Sequence, residues 1–482
     1  MARQTAAAYF LIALLLPCLG LPERVRAQTS GDGMASSGEV SRRVVEARAT
    51  EAVIWGMPTV NYDLMYQAAL RNNAKFNQIV YWSRPSTGKN QTLTPNPDAI
   101  YLMPFISTKD VGPVVLEIPP ADDGVINGSV MDCWQTAIED VGPAGVDKGK
   151  GGKYLILPPN YKDKVPDGYI PMRSDNNSNY ALLRSILKSG SDADIAKAVA
   201  YGKRIKIYPL SQAASPPSTV FVDVFNDVYD SSIPYDLRFF QSLDRMVQSE
   251  PWLTRDKVMI DQLKTIGIEK GKAFNPDVAT QEALKSGIAT ARAWLEARYT
   301  AGFTPPYFDG THWSLPISPE FSKGIMSNYA DPNSYSVDDR GTAYSWAFFS
   351  AKHLGQGQFY LITINDSQGR ALDGARNYKL TVTAKMPVTQ YWSATAYNRA
   401  THTLIRNMKW ASRSSLNPGL QMNADGSVDI YLGPGAPQGK ESNWIPTDAN
   451  GQFEVLFRFY GPQKTLFEKT WKLPDIRDAS LP

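Results

Sequence analysis

Four short stretches hold the residues whose types and spacing could do chemistry. Asp98 stands in Asn96-Pro97-Asp98-Ala99-Ile100-Tyr101, where Pro97 fixes the backbone and the acid either caps a turn or faces a pocket. Asp132 lies in the strand-like run Val130-Met131-Asp132-Cys133-Trp134, a place where an acid must be exposed, paired or functional. Arg458 and Tyr460 fall on one side of the alternating run Phe453 to Tyr460, with Glu454 and Leu456; Phe453, Val455, Phe457 and Phe459 take the other side. Two carboxylates a suitable distance apart can share general acid and base work, and a guanidinium with a phenol suits a carboxylate or hydroxyl-rich ligand. Asp98, Asp132, Tyr101, Arg458 and Tyr460 are therefore the candidate catalytic set. Trp134, Trp392, Trp444 and Trp313, with His312 beside the last, are the candidate ligand-binding surfaces. The competing account has Asp98 capping a turn, Asp132 paired with Arg458 or another cation, Glu454 and Arg458 paired with neighbours, and the indoles filling cores.

Other chemistries have less to stand on. The three histidines, His312, His353 and His402, lack the i, i+2 or i+4 spacing that presents two ligands on one element, so no metal is expected. The signatures G-x-S-x-G, H-E-x-x-H, Walker loop and G-x-G-x-x-G opening a helix are all missing, and no cofactor is expected. If the chain is an enzyme, it should be hydrolase-like and free of a nucleotide cofactor. Cys133 reads as buried apolar filler.

These residues need elements to position them. Ser41 to Trp55 reads as a helix stopped by Gly56-Met57-Pro58, followed by a second helix from Thr59 to Leu70. Short β-rich runs follow at Asn96 to Ser107, Val114 to Ile118, Ser129 to Ala137 and Tyr154 to Leu157. From Asn177 to Thr300 the pattern is mostly helical: Tyr180 to Lys188, a helix capped by Ser191, one opened by Ser232 and Pro234, and a longer one opened by Asn275 and Pro276. Phe303 to Pro319 is an irregular aromatic segment, and Asp338 to Leu354 an amphipathic helix closed by Gly355. Phe359 to Ile364, Tyr378 to Ala384, Gln390 to Tyr397, Ser427 to Leu432 and Phe453 to Tyr460 are five candidate strands.

The expected fold class is α+β: two β-sandwich (jelly-roll-like) modules with an intervening helical domain. The boundaries are a signal peptide over 1–27, a disordered tether over 28–40, leading helices and a first sandwich over 41–176, and a helical middle over 177–302. An aromatic loop and helix occupy 303–356, and the second sandwich 357–482.

Several motifs taken together resemble a bacterial two-module family carrying domain of unknown function 1254 followed by domain of unknown function 1214. In the first half they are Trp55-Gly56-Met57-Pro58, Asn96 to Tyr101 and Gly112-Pro113-Val114-Val115-Leu116-Glu117-Ile118-Pro119. In the second they are Tyr391 to Asn398, Asn423-Ala424-Asp425-Gly426-Ser427-Val428, Asn443 to Pro446 and Phe453 to Pro462. The resemblance implies β-sandwich modules with helical parts and no particular chemistry.

Composition bounds the remaining possibilities. At 482 residues the chain exceeds one ordinary core. A net charge of +3 is too small for this length to argue for nucleic acid. Arg3, the apolar run Ala6 to Leu21 and the small-residue site Val25-Arg26-Ala27 read as a secretory signal, predicting a periplasmic or secreted product cleaved near Ala27, with no membrane span elsewhere. Three readings stand open: an enzyme acting on a small molecule or envelope glycan in a cleft between modules, a non-catalytic carbohydrate or envelope-component binder, and a structural protein that forms homo-oligomers.

Overall fold

The structure, a computed structural model, describes residues 36–315, 317–347, 351–353 and 357–480. The expected signal peptide and most of the tether lie outside these residues. The described end of the tether is helical from Ser37, with the Ser36 hydroxyl accepting a hydrogen bond from Glu39 N–H.

The first helix runs unbroken from Ser37 to Arg71 with Pro58 inside it, where the sequence reading placed a stop and two helices. Proline removes the hydrogen bond to the Ile54 carbonyl but does not end the helix, because every residue from Ala52 to Asp63 is buried and packing outweighs the local penalty. Against this helix pack Leu237–Ser249, Val278–Ala301 and Val337–Trp346. The expected N-caps of the helices at 192 and 237 shift by little: Ser191 caps the first, Asp236 the second, and Asp277 caps the long helix.

Among the described residues the N-terminal strands form two larger open sheets and a two-stranded parallel ribbon of Asn90–Gln91 with Tyr229–Asp230. The larger has the spatial order Phe221–Asp223, Gln78–Tyr81, Ala99–Ser107, Ser178–Ile186, Ile126–Asp132 and Ala137–Val141. Its neighbours are antiparallel except at the first pair. Ser178–Ile186 is thus a central strand and not the start of a helical block. Eight of its nine residues are buried, so the run shows no polar alternation to betray a strand. The second sheet has the order Lys206–Pro209, Val114–Ile118, Gly152–Leu157 and Tyr169–Arg173. Strands within 178–230 therefore complete the N-terminal sheets, and the helices form a layer rather than a separate insertion.

One face of the larger sheet, with Tyr101, Met103, Phe105, Tyr180 and Leu182, packs on the first helix. Its other face, with Ile100, Leu102, Ile106 and Leu183, packs on Val114, Leu116, Tyr154 and Ile156 of the second sheet. All five expected C-terminal strands form. Gln358–Thr363, Phe453–Tyr460, Trp392–Asn398 and Ser412–Ser414 make a third sheet, and Trp444–Pro446, Val428–Gly433, Tyr378–Val382 and Arg477–Asp478 a fourth. The core between them holds Leu380, Trp392, Ala394, Ile430, Leu432, Val455 and Phe457.

The third sheet is not solvated on its far side. All eight residues of Phe453–Tyr460 are buried, including Glu454, Arg458 and Tyr460, which alternation alone assigns to an open face. Ile362, Tyr397 and Leu456 on that face pack against Tyr299 and Trp346 of the helical layer. The last expected helix ends early, at Trp346, and Ala347 is extended; Leu354 and Gly355 lie outside the described residues. The chain is thus a mixed α+β stack of sheet, sheet, helices, sheet and sheet. Among the described residues no helix is long and apolar enough to cross a membrane.

Candidate functional site

The strands of the two halves meet around the loop Thr94–Asp98. The Asn96 side-chain oxygen accepts a bond from Asp98 N–H at 2.9 Å, closing an Asx turn. The backbone N–H of Asn96 donates to the Tyr101 hydroxyl at 2.8 Å, fixing the loop to its own strand. Its amide nitrogen donates across the junction to the Tyr460 hydroxyl at 2.6 Å and the Tyr391 hydroxyl at 3.3 Å. Arg458 reaches back from the third sheet: its Nη2 donates to the carbonyls of Thr94 at 3.0 Å and Pro95 at 3.3 Å and to the Tyr397 hydroxyl at 2.5 Å. Its Nη1 donates to Thr395 Oγ1 at 2.9 Å, while Nε is buried without a partner.

A second guanidinium enters from the N-terminal half. Arg184, on the central strand, lies over the Tyr101 ring at 5.2 Å and donates only one long hydrogen bond, from Nε to the Tyr101 hydroxyl at 3.4 Å. Arg458 is 2% exposed and Arg184 8%. Among the described residues neither forms an ion pair with a carboxylate. Both lie within electrostatic reach of Tyr101, Tyr360 and Tyr460. They line a common cavity of about 40 Å³, with Thr94, Asn96, Tyr101, Tyr360 and the apolar side chains of Leu315, Trp346 and Leu456. By the room one molecule needs, this holds about three waters.

The phenols around it are held neutral. Burial pushes the hydroxyls of Tyr360 and Tyr460 well above their ordinary titration range; Tyr460 adds to the effect on Tyr360, and Tyr391 to that on Tyr460. Tyr391 stacks on Tyr460 at 4.2 Å and is raised by burial and by Asp98. They serve as hydrogen-bond donors and acceptors, not as bases.

Of the candidate catalytic residues, Asp98, Tyr101, Arg458 and Tyr460 gather here, and Asp132 does not. Asp98 accepts a 2.6 Å bond from the Ser412 hydroxyl; burial raises its pKa, while Ser412 and Arg458 pull it partly back. Asp98 also faces Arg413, which burial lowers to about 10 against the pull of Asp98. Asp132 accepts from the backbone N–H groups of Trp134 and Thr136, both at 2.8 Å, in the turn after its strand. Burial raises it also, and the cations that offset this are Arg255 and Arg340, so the two acids belong to separate clusters and Arg458 partners neither as an ion pair. The adjacent Cys133 thiol is pushed well up by burial and is inert core.

The candidate rings also scatter. Trp134 packs on Trp55 at 4.8 Å in the N-terminal core. Trp392 stacks on Phe457 at 5.7 Å, and Trp313, fully buried, donates from Nε1 to the Pro474 carbonyl at 2.9 Å. Neither presents a face to a ligand. Trp444 is half-buried, donates to the Gly433 carbonyl at 2.9 Å and meets Trp410 edge-on, and Trp410 carries Arg413 over its face at 4.2 Å. His312 bonds through Nδ1 to Asp475 at 2.8 Å at the edge of the C-terminal half. Among the described residues no cluster of three His, Cys, Asp or Glu side chains is set to hold a metal ion.

Sequence reasoning missed Arg184, Tyr360 and Asn96 as site residues. Arg184 was hidden because its strand was read as a helix. The signal was there: one arginine follows Ala181-Leu182-Leu183, and a lone charge on a strand buried on both faces needs a reason.

Comparison with known proteins fits this architecture. Residues 76–209 match the family described as "Protein of unknown function (DUF1254)", and residues 357–464 match "Protein of unknown function (DUF1214)". No curated protein matches the chain. A crystal structure of a protein from Vibrio parahaemolyticus is similar in fold, with a TM-score of 0.54 at 19% identity, covering 90% of this chain and 100% of that one. A structure of a putative uncharacterized protein from Burkholderia cenocepacia covers 91% of this chain and 95% of that one, at 11% identity and a TM-score of 0.40. With the two matches in this N- to C-terminal order, the chain belongs to the two-module family in which domain 1254 precedes domain 1214.

Proposed function

We propose that the protein is an exported binder of a compact anion, a small carboxylate, held in the junction cavity between Arg184 and Arg458. Each half folds as a jelly-roll-like sandwich in this reading, and the N-terminal segment directs export. The observation that carries it is two buried guanidinium groups beside one cavity with, among the described residues, no carboxylate paired to either. Burying a charge costs several kcal/mol unless it is compensated, by roughly the desolvation penalty of an ion. A ligand anion would compensate both, while the hydroxyls of Tyr101 and Tyr360, which line the same cavity, would donate to its remaining lone pairs. The cavity is far smaller than the roughly 300–1,000 Å³ of ordinary ligand pockets, so a compact anion suits it better than a glycan.

A second reading, acid catalysis, has one observation in its favour: burial holds the Asp98 carboxyl toward its protonated form beside Arg458.

Titration calorimetry with formate and acetate tests the first reading. Arg184 makes only one weak hydrogen bond, so Arg184→Gln should fold, abolish binding and raise the melting temperature of the ligand-free protein by removing an uncompensated charge. At an anion concentration 100 times Kd the wild type should gain about 2.7 kcal/mol. An Arg184→Gln protein that binds formate and acetate as the wild type does would remove the reading. Turnover lost in Asp98→Asn with binding kept would favour the second.

A further inference from the structure

A second group of polar side chains sits on the same face of the third sheet, beyond Leu456 from Arg458. Glu454 is fully buried and both its oxygens are engaged: Oε2 accepts from the Tyr299 hydroxyl at 2.8 Å, and Oε1 accepts from His402 Nδ1 at 2.9 Å. Burial, then Glu454, pushes the Tyr299 hydroxyl well up, so it stays a donor. With Nδ1–H held by the carboxylate, the tautomer that bears a ring lone pair places it on Nε2. Nε2 has no hydrogen-bond partner among the described residues, and His402, 8% exposed, is one of the residues that line an open groove of about 610 Å³.

Two further groups line this groove. Asn398 opens the turn that contains His402, whose N–H donates to the Asn398 carbonyl at 2.8 Å. Its side-chain oxygen is taken by the N–H groups of Ala400 at 3.0 Å and Thr401 at 3.2 Å, which leaves the amide N–H groups to donate outward. Arg292 rests over the Tyr235 ring at 4.9 Å and, among the described residues, forms no ion pair, whereas Arg399 is spent on Glu296 and lies 4.0 Å from Glu454. The charged and titratable groups around His402 are thus Glu454, Tyr299 and Arg399 beside it, and Tyr235, Arg292, Glu296 and Asp448 lining the same groove.

The geometry points to a hydrolytic site in this groove, in which His402 activates water against an ester that carries a negative charge. Among the described residues no hydroxyl or thiol is hydrogen-bonded to Nε2, so water is the nucleophile. Nε2 takes one proton from water as the oxygen adds to the ester carbonyl carbon, and the Asn398 amide donates to the carbonyl oxygen as it gains charge. The C–O bond to the leaving alcohol then breaks, and that oxygen receives the proton from Nε2–H. Water and ester are consumed, acid and alcohol released, with no oxidant or reductant. Glu454 and Tyr299 are positioning residues that fix the tautomer, and Arg292 pairs with the anionic end of the ester. This site stands independently of the junction cavity.

The test compares the mono-p-nitrophenyl ester of succinate with p-nitrophenyl acetate on the full chain. The wild type should prefer the anionic ester. His402→Gln should lower kcat by about 100-fold or more, the usual worth of a positioned base. Arg292→Gln alters an exposed residue and should lose about tenfold in kcat/KM on the anionic ester only, the worth of one charge-assisted contact. No turnover above buffer by the wild type, His402→Gln with wild-type rates, or an unchanged preference in Arg292→Gln would each overturn the proposal.

Discussion

Asp98 shows how little of a residue's role its neighbours in sequence reveal. Asn96-Pro97-Asp98 reads as a turn, and it is one, yet what matters is that the turn is sealed under a second module that brings Ser412, Arg458 and Arg413 to the carboxylate. Burial raises its pKa, so the folded state holds the proton more tightly than the unfolded chain does. That contribution is fully present below the ordinary carboxylate range and is lost as pH rises through the folded value, at about 1.4 kcal/mol for each unit of elevation. Asp98→Asn keeps an acceptor for Ser412 but cannot ionise. Its stability relative to wild type should therefore improve between pH 4 and pH 7.5 in urea unfolding, and a difference independent of pH would contradict this. The types of the site residues were legible: Asp98, Tyr101, Arg458 and Tyr460 are recognisable from charge, ring and alternation. Their partners were not, because Asn96 bonded to Tyr460 and Arg458 bonded to Thr94 are contacts between residues 364 apart in the chain.

At the scale of elements, short alternating strands were the legible part and fully buried ones were not. The C-terminal strands announce themselves with turns and alternation, whereas Ser178–Ile186 and the Pro58 region, buried on every side, carry neither signal. Close approach of the helices explains why the first helix survives its proline. A Cβ added at Gly287 would meet Ala49 Cβ at 2.5 Å and the Glu46 carbonyl at 2.7 Å, and one at Gly341 would meet the Ile54 carbonyl at 2.7 Å. Ile54 is the residue whose carbonyl Pro58 leaves without its helical partner, and the helix Val337–Trp346 comes down at that point. Gly287→Ala and Gly341→Ala should each destabilise by about 1–3 kcal/mol through overpacking, although alanine is the better helix former. Neutral or stabilised variants in denaturant titrations would show that the helices can part without cost.

Across the whole molecule, the polar face of Phe453–Tyr460 is what joins the halves. Glu454 is held by Tyr299 of the helical layer, Arg458 by the loop Thr94–Asp98 and Tyr460 by Asn96, so neither half completes its hydrogen bonds alone. Calorimetric unfolding should show one cooperative transition for both modules; two separate transitions would mean the junction contributes little. Two modules could be read from sequence, but their mutual burial could not, since alternation distinguishes one face from the other without saying what covers either. In the proposed reading Arg184 and Arg458 share one anion at that junction. A crystal soaked in bromide measures this directly by anomalous scattering: a peak in the cavity between the two guanidinium groups, missing in Arg184→Gln crystals, is the result expected, and a cavity without bromide in wild-type crystals that bind the ion elsewhere would contradict it.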